Sequence, residues 1–273
     1  MVRDLTIGQY YPGHSLLHKT DPRVKIVLTL VFIFIIFFCQ NFFSLGLMVA
    51  ALFAGVALSR VPLKMLLKSM KAITFIILIT ALLNLAYTTS GNVLFSFKFF
   101  KITDEGVYTA VFVAVRILAL IAGSALLTYT TTPTMLTDAI ERLLKPLKLF
   151  HVPVHTLAMM MTLALRFIPT LIEEIDKIMN AQKARGADLE SGGLMQRAKA
   201  LVPILIPLFV SSFRRAYELA FAMECRCYTG GEGRTRMKQM KLKGLDSILI
   251  IGCALLLGGV IALNLLFKAY NLG

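Results

Sequence analysis

Two arginines occur in a setting that suits an arginine for gripping another molecule. Arg185 lies in Ala184-Arg185-Gly186 and Arg226 in Cys225-Arg226-Cys227, each with small neighbours on both sides. A guanidinium left unshielded in this way is a rigid, permanently charged fork, able to enter an acidic or carbonyl-lined groove. The wider context repeats as well: Ala181-Gln182-Lys183-Ala184-Arg185-Gly186 and Ala222-Met223-Glu224-Cys225-Arg226-Cys227 both place Arg four residues after Ala. One arginine near a helix C-terminus is explained by the macrodipole alone. Two in the same setting point to two docking points.

Other reactive residue types carry less. Arg116 sits near the middle of an apolar run, where a charge must face protein or water rather than lipid; a structural role is expected, with Asn84 as a candidate partner. His14 and His18 lie four apart beside Pro12-Gly13, and His151 and His155 flank Pro153 with no acidic cluster nearby, so solvated or capping roles are expected and no metal site. Cys39 and Cys253 fall inside apolar runs, and Cys225 and Cys227 form a single C-x-C pair without a second pair at zinc spacing; all four read as free thiols. The apolar runs hold only Arg116 and neutral polar groups, too few for a membrane-embedded catalytic centre. The pattern G-x-x-x-x-G-K-[ST] is absent, so any ATP chemistry must come from another chain, and Gly230-Gly231-Glu232-Gly233 reads as a turn.

The elements that must carry the two arginines read as helices. Thr132-Pro133 supplies a cap and a first helical residue, and Met135, Leu136, Ile140, Leu143 and Leu144 then recur on one face until Lys145-Pro146. A second helix is expected from about 154 to 185, interrupted at Pro169, with a Glu173–Lys177 pair on its solvated part. After Gly192-Gly193 a third runs from about 194 to 228 through Pro203 and Pro207 and stops at Thr229-Gly230. Antiparallel helices of this length would hold their arginine ends on the order of 40 Å apart at ~1.5 Å per residue. Leu157, Met159, Met160 and Met161 in one, and Ile204, Leu205, Ile206 and Phe209 in the other, are greasier than a solvated face requires. They fit either a position along the membrane surface or a partner-binding face. The methionines fit adaptable core packing or a surface that re-packs as a partner moves.

The rest of the chain is built for lipid. Of 273 residues, 57% are hydrophobic, and the mean hydropathy is +0.75, above what soluble domains carry. The run 24–58 is nearly twice the ~30 Å hydrocarbon thickness if helical, so two spans with a turn at Cys39-Gln40-Asn41 are expected, the first capped by Asp21-Pro22. Further spans are expected at 72–87, 107–129 and 248–267, giving five. The first 21 residues are polar, so no cleaved signal peptide is expected.

The net charge of +14 is topological. Arg3, Lys19, Arg23 and Lys25 precede or open the first span; Arg60, Lys64, Lys68 and Lys71 separate the second and third; only Lys98 and Lys101 follow the third. The segment between the last two spans holds seventeen Lys and Arg, and only Lys268 follows the fifth span. The positive-inside rule puts the N-terminus in the cytoplasm and the C-terminus outside, in a bacterial or archaeal cytoplasmic membrane, and removes the case for nucleic acid. The expected organisation is a cytoplasmic segment 1–21, transmembrane helices 22–130, a cytoplasmic coupling domain 131–245, and a last span with an outer end, 246–273. The fold class is an all-α polytopic membrane protein with long amphipathic coupling helices.

The chain resembles the transmembrane T component of energy-coupling-factor (ECF) importers, an ABC-type family that includes cobalt-transport permeases. The residues that carry the resemblance are Gly8-Gln9-Tyr10, Asp21-Pro22-Arg23-Val24-Lys25, Arg166-Phe167-Ile168-Pro169, the two arginine-bearing segments above, and Arg234-Thr235. Cys227 departs from the family pattern, in which Gly commonly follows the second Arg; little consequence is expected. The resemblance implies a non-catalytic subunit that binds no cofactor itself. Two partner ATPases would bind ATP and Mg, and a separate membrane S component would capture a vitamin or other micronutrient. Ala184, Arg185 and Gly186 would dock in one ATPase, and Cys225, Arg226 and Cys227 in the other. A conventional ABC permease lining its own substrate path is the alternative.

Overall fold

The computed structural model of the protein describes residues 10–71, 73–87, 93–97, 100–187, 193–230 and 242–267. Gly8-Gln9, Arg234-Thr235, Gly192 and Gly231-Glu232-Gly233, singled out in the sequence, lie outside them. The chain divides into two compact units, one comprising Gly8–Ala139 with Met240–Gly273 and the other built on Ile140–Gln239.

The first unit is a helical bundle. A short helix α1 (Leu16–Lys19) leads into α2 (Pro22–Phe38), which starts where Asp21-Pro22 requires: the Asp21 carboxylate accepts the Arg23 backbone N–H at 2.9 Å, and Pro22 occupies the first turn. The chain turns at Cys39-Gln40-Asn41 into α3 (Phe42–Ser59), with the Asn41 N–H donated to Ser44 Oγ at 3.3 Å. The long apolar run is thus two helices. After α3 come α4 (Leu63–Lys71) and α5 (Thr74–Tyr87), bent by 57° at their junction. The third expected span is therefore the distal arm of a broken helix. An antiparallel hairpin follows, β1 (Val93–Phe97) with β2 (Phe100–Thr103), the one departure from helix among the described residues. Helix α6 (Asp104–Thr130) is capped by Thr103, whose hydroxyl accepts the Gly106 N–H at 3.2 Å, with Asp104 and Glu105 complementing the dipole in its first turn.

In the second unit, after α7 (Pro133–Leu143) has crossed the division, a 3-10 turn (Lys145–Phe150) leads to α8 (Val154–Ala184) and α9 (Leu194–Cys225). Helix α8 runs unbroken through Pro169, where an interruption is expected, and α9 continues through Pro203 and Pro207 as its sequence predicts. The first unit is completed by α10 (Gly244–Leu266), which begins four residues before the expected span.

Five helices among the described residues are long and apolar enough to cross a membrane: α3, α6, α8, α9 from Lys199, and α10. A sixth follows if α4 and α5 form one broken span. The count of five agrees with expectation but its membership does not. Helix α2, with 17 residues, sits at the lower limit for crossing, α5 is shorter still, and α8 and α9, expected at the cytoplasmic surface, carry enough apolar side chains to qualify.

The bundle core gathers Ile35, Ile36, Leu45, Met48, Phe112 and Val260 from α2, α3, α6 and α10. Between lipid-immersed helices such contacts stabilise through close packing rather than exclusion of water. Gly123 of α6 shows how close: a Cβ there would lie 2.6 Å from the ring of Phe32 on α2. Polar nodes pin both ends. At one, the Asp246 carboxylate, fully buried, accepts the backbone N–H of Asp21 at 3.0 Å and of Lys243 at 2.7 Å, while Lys25 Nζ donates to the Thr130 carbonyl at 3.0 Å. This node ties the start of α2 to the end of α6 and the start of α10. At the other end the α2–α3 turn meets the end of α10, where Asn41 Nδ2 donates to the Phe267 carbonyl at 3.1 Å and Asn264 Nδ2 to the Phe38 carbonyl at 2.7 Å.

Candidate docking site

The two arginines occupy the same position in the same backbone motif. Arg185 is the C-cap of α8; Gly186 follows with φ +85°, its N–H donated to the Lys183 carbonyl at 3.0 Å, and the Ala187 N–H reaches the Gln182 carbonyl at 3.0 Å. Arg226 is the C-cap of α9; Cys227 follows with φ +55°, its N–H donated to the Glu224 carbonyl at 2.8 Å, and the Tyr228 N–H reaches the Met223 carbonyl at 3.0 Å. Both are complete Schellman endings, with the paired return bonds and a left-handed residue immediately after the arginine. The repeat seen in the sequence is therefore a repeat in space.

The motif uses up several of the last backbone carbonyls and turns the chain away, so each guanidinium stands on an open helix tip. Arg185, Arg226 and their neighbours Ala184, Gly186, Cys225 and Cys227 are all exposed. Among the described residues neither guanidinium has a hydrogen-bond or ion-pair partner, leaving every side-chain donor available.

Contacts between α8 and α9 fix their register. Gln182 Nε2 donates to the Pro203 carbonyl at 3.4 Å, Ser211 Oγ donates to Glu174 Oε1 at 2.8 Å, and Tyr228 Oη donates to Met159 Sδ at 3.1 Å. Residue numbers rise on one helix as they fall on the other, so the two form an antiparallel hairpin. Arg226 then lies level with about residue 159 of α8, some 26 residues before Arg185, and the tips are roughly 39 Å apart at ~1.5 Å per residue.

Glu174 is the polar clamp of this hairpin. It takes the Ser211 hydroxyl on one oxygen and pairs with Arg215 through the other. The expected partnership of Glu173 with Lys177 does not form; the bridging falls one residue later and runs between helices instead of along one. At the opposite end of α8, His155 Nδ1 lies 3.0 Å from Glu141 Oε1.

The exposed apolar face also belongs to α9. Ile206, Phe209, Phe213, Tyr217 and Phe221 recur every three or four residues, each at least 60% exposed, with the Phe209 and Phe213 rings stacked. Met160, Met161 and Leu157 of α8 are half exposed, whereas Ile204 is buried. Met159 serves the hairpin itself by accepting the Tyr228 hydroxyl.

Arg116 is placed inside the bundle and not at a docking surface. Its Nη2 donates to the Cys39 carbonyl at the α2–α3 turn, and its guanidinium lies 4.6 Å from the Phe112 ring centroid. Asn84 is not its partner, because Asn84 Nδ2 donates to Thr80 of its own helix at 2.9 Å. His18 is held locally, 2.6 Å from Ser15 Oγ and 2.9 Å from the Tyr11 carbonyl. The four cysteines are free thiols. Among the described residues, no group of three His, Cys, Asp or Glu could hold a metal ion.

Sequence reasoning passed over Asp246 and the Lys25–Thr130 bond. Asp246 is the only acid at the start of the last apolar run, three residues after Lys243, and that capping spacing was the signal available.

Comparison with known proteins gives a consistent picture. The cobalt transport protein family, CbiQ, matches residues 13–237. The chain is 54% identical over 258 residues to the energy-coupling factor transporter transmembrane protein EcfT of Clostridium kluyveri, covering 94% of this chain and 95% of that relative. It is 52% identical over 254 residues to the protein of the same description from Ruminiclostridium cellulolyticum, covering 92% and 94%. With its counterpart from Bacillus subtilis it shares 46% identity over 256 residues, covering 94% and 97%.

Proposed function

Because the chain belongs to the CbiQ family of cobalt transport proteins, alongside energy-coupling factor transporter transmembrane proteins, we propose that it is the non-catalytic coupling subunit of an ECF-type importer. Two cytoplasmic ATPases bind ATP and Mg and dock on the tips of α8 and α9. A separate membrane S component, which binds the vitamin or other micronutrient, packs on the apolar face of the same hairpin.

The observation that carries this reading is the pair of identical Schellman endings with an exposed, unpartnered arginine at each C-cap. The steps follow from that geometry. Each guanidinium enters a groove of acidic or carbonyl oxygens on one ATPase, where a bidentate charge-assisted contact fixes orientation as well as adding affinity. The backbone motif holds the arginine at the end of a long rigid rod, so a displacement of the groove moves the whole helix. ATP-driven closure of the two ATPases alters the separation of two points roughly 39 Å apart, and the hairpin responds as a hinged pair. Ile206, Phe209, Phe213, Tyr217 and Phe221 form the apolar row on which the S component re-packs as the rods move. By the positive-inside rule α8 and α9 lie on the cytoplasmic side, with the N-terminus also inside and the C-terminus outside.

The test is charge reversal at the tips. Arg185→Glu and Arg226→Glu should each leave the protein inserted at normal abundance, while copurification of the ATPases and ATP-driven uptake fall at least tenfold, as expected for a lost charge-assisted pair of ~1.5–3 kcal/mol. Copurification and uptake at native levels in the double variant would remove the assignment.

A further inference from the structure

The helical bundle contains a cavity of about 470 Å³ that the docking reading does not use. It is walled by α2, α3, α6 and α10, with Leu28 and Phe32 on α2, Leu52 and Gly55 on α3, and Gly252 and Leu256 on α10 among its lining residues. Its size falls within the ~300–1,000 Å³ of ligand-binding pockets. The lining is polar chiefly at one end, where Thr20, Lys25 and Thr130 meet the node that ties the start of α2 to the end of α6.

Lys25 makes that end unusual. It is 7% exposed, yet among the described residues its Nζ is bonded only to neutral oxygens, the Thr130 carbonyl at 3.0 Å and Thr131 Oγ1 at 3.4 Å. An ammonium has three donors, so one is unspent. The nearby carboxylates are committed elsewhere: Asp21 pairs with Arg23 at 2.7 Å, and Asp246 accepts two backbone N–H groups. Above this end lie two more cations, the exposed Lys19 and Lys243, with Lys243 Nζ 3.4 Å from the Lys19 carbonyl. An apolar slot with a buried cation holding a free donor, and lysines at its mouth, is complementary to an amphiphile with an anionic head.

We propose that this cavity binds an anionic phospholipid, one acyl chain filling the slot and the phosphate accepting from Lys25, with Lys19 and Lys243 adding attraction at the rim. The lipid enters from the leaflet on the Lys25 side, between α3 and α10, where Ala54, Leu58 and Ile248 of the lining are exposed. It would brace the helix ends that the buried Asp246 joins from within.

The experiment is native mass spectrometry of the intact chain released from detergent, with phosphatidylglycerol or diacylglycerol, which lacks the phosphate, of the same acyl chains added as probes. The native protein should retain phosphatidylglycerol about tenfold better, the scale of one hydrogen bond to a charged group. Lys25→Gln should bring that ratio to near one. Gly252→Leu fills the slot, since a Cβ at Gly252 meets nothing within 4 Å, and should lose both lipids while keeping its helical circular dichroism and the melting temperature of the lipid-free native chain. Equal retention of the two lipids by the native chain would overturn the proposal. So would a Gly252→Leu protein that still binds phosphatidylglycerol, or a folded Lys25→Gln protein whose preference is unchanged.

Discussion

At the scale of single residues, the two docking tips differ in one place. Gly186 adopts its left-handed conformation without a Cβ clash, whereas Cys227 adopts φ +55° with one, at a cost of roughly 1–2 kcal/mol. The return bonds to Glu224 and Met223 hold Cys227 there despite that cost. Cys227→Gly should therefore tighten the end of α9 by about 1 kcal/mol, read as roughly fivefold slower hydrogen exchange at the Tyr228 amide. Gly186→Val should do the reverse to the Ala187 amide. Cys in place of Gly at 227 is thus a local backbone strain at the end of α9. The arginines themselves were legible because a repeated spacing is visible in a linear string. The partner of Arg116 was not: Cys39 lies 77 residues away, and only the packing of the α2–α3 turn across α6 brings its carbonyl within reach.

At the scale of elements, capping chemistry did most to reveal the fold. Asp21-Pro22 and Thr132-Pro133 mark the starts of α2 and α7 because a side-chain acceptor followed by Pro satisfies helix N-termini locally. The bend between α4 and α5 and the hairpin of β1 and β2 escaped, since the apolar stretch 72–87 looks the same whether it is a whole span or one arm of a broken one. Likewise Pro169 was read as an interruption, but the helix continues through it because neighbouring turns and α9 hold the rod together. Asp246 was the least visible of the anchoring residues and is among the most buried. Its carboxylate satisfies the N–H groups of Lys243 at the start of α10 and of Asp21 before α2, so Asp246→Ala leaves two backbone donors unpaired, the buried one of Asp21 and the part-buried one of Lys243. The expected loss is about 1–3 kcal/mol, seen as a lower melting temperature in detergent. Asp246→Asn, which keeps one acceptor oxygen, should recover part of it.

At the scale of the whole molecule, the internal bonds and the charge pattern agree on which helix ends lie together. The starts of α2 and α10 and the end of α6 share the node at Asp246 and Lys25, while the α2–α3 turn shares the opposite node with the end of α10. The lysine-bearing ends fall on the first side, among them Lys19, Arg23, Lys25 and Lys243, and the Cys39-Gln40-Asn41 turn, with no Lys or Arg, falls on the second. If the first side is cytoplasmic, Gln40 faces outward across the membrane from it. Gln40 is exposed, and Cys39 beside it is fully buried, so a Gln40→Cys variant offers one reactive thiol at that turn. In intact cells a membrane-impermeant maleimide should label Gln40→Cys and leave the native protein unlabelled. After permeabilisation the exposed Cys225 and Cys227 beside Arg226 should react as well. On the proposed docking, binding of the ATPases should then protect those two thiols and not the one at 40, because a groove that received Arg226 would cover its neighbours. Labelling of Cys225 and Cys227 in intact cells would invert the topology and with it the side on which the ATPases can sit.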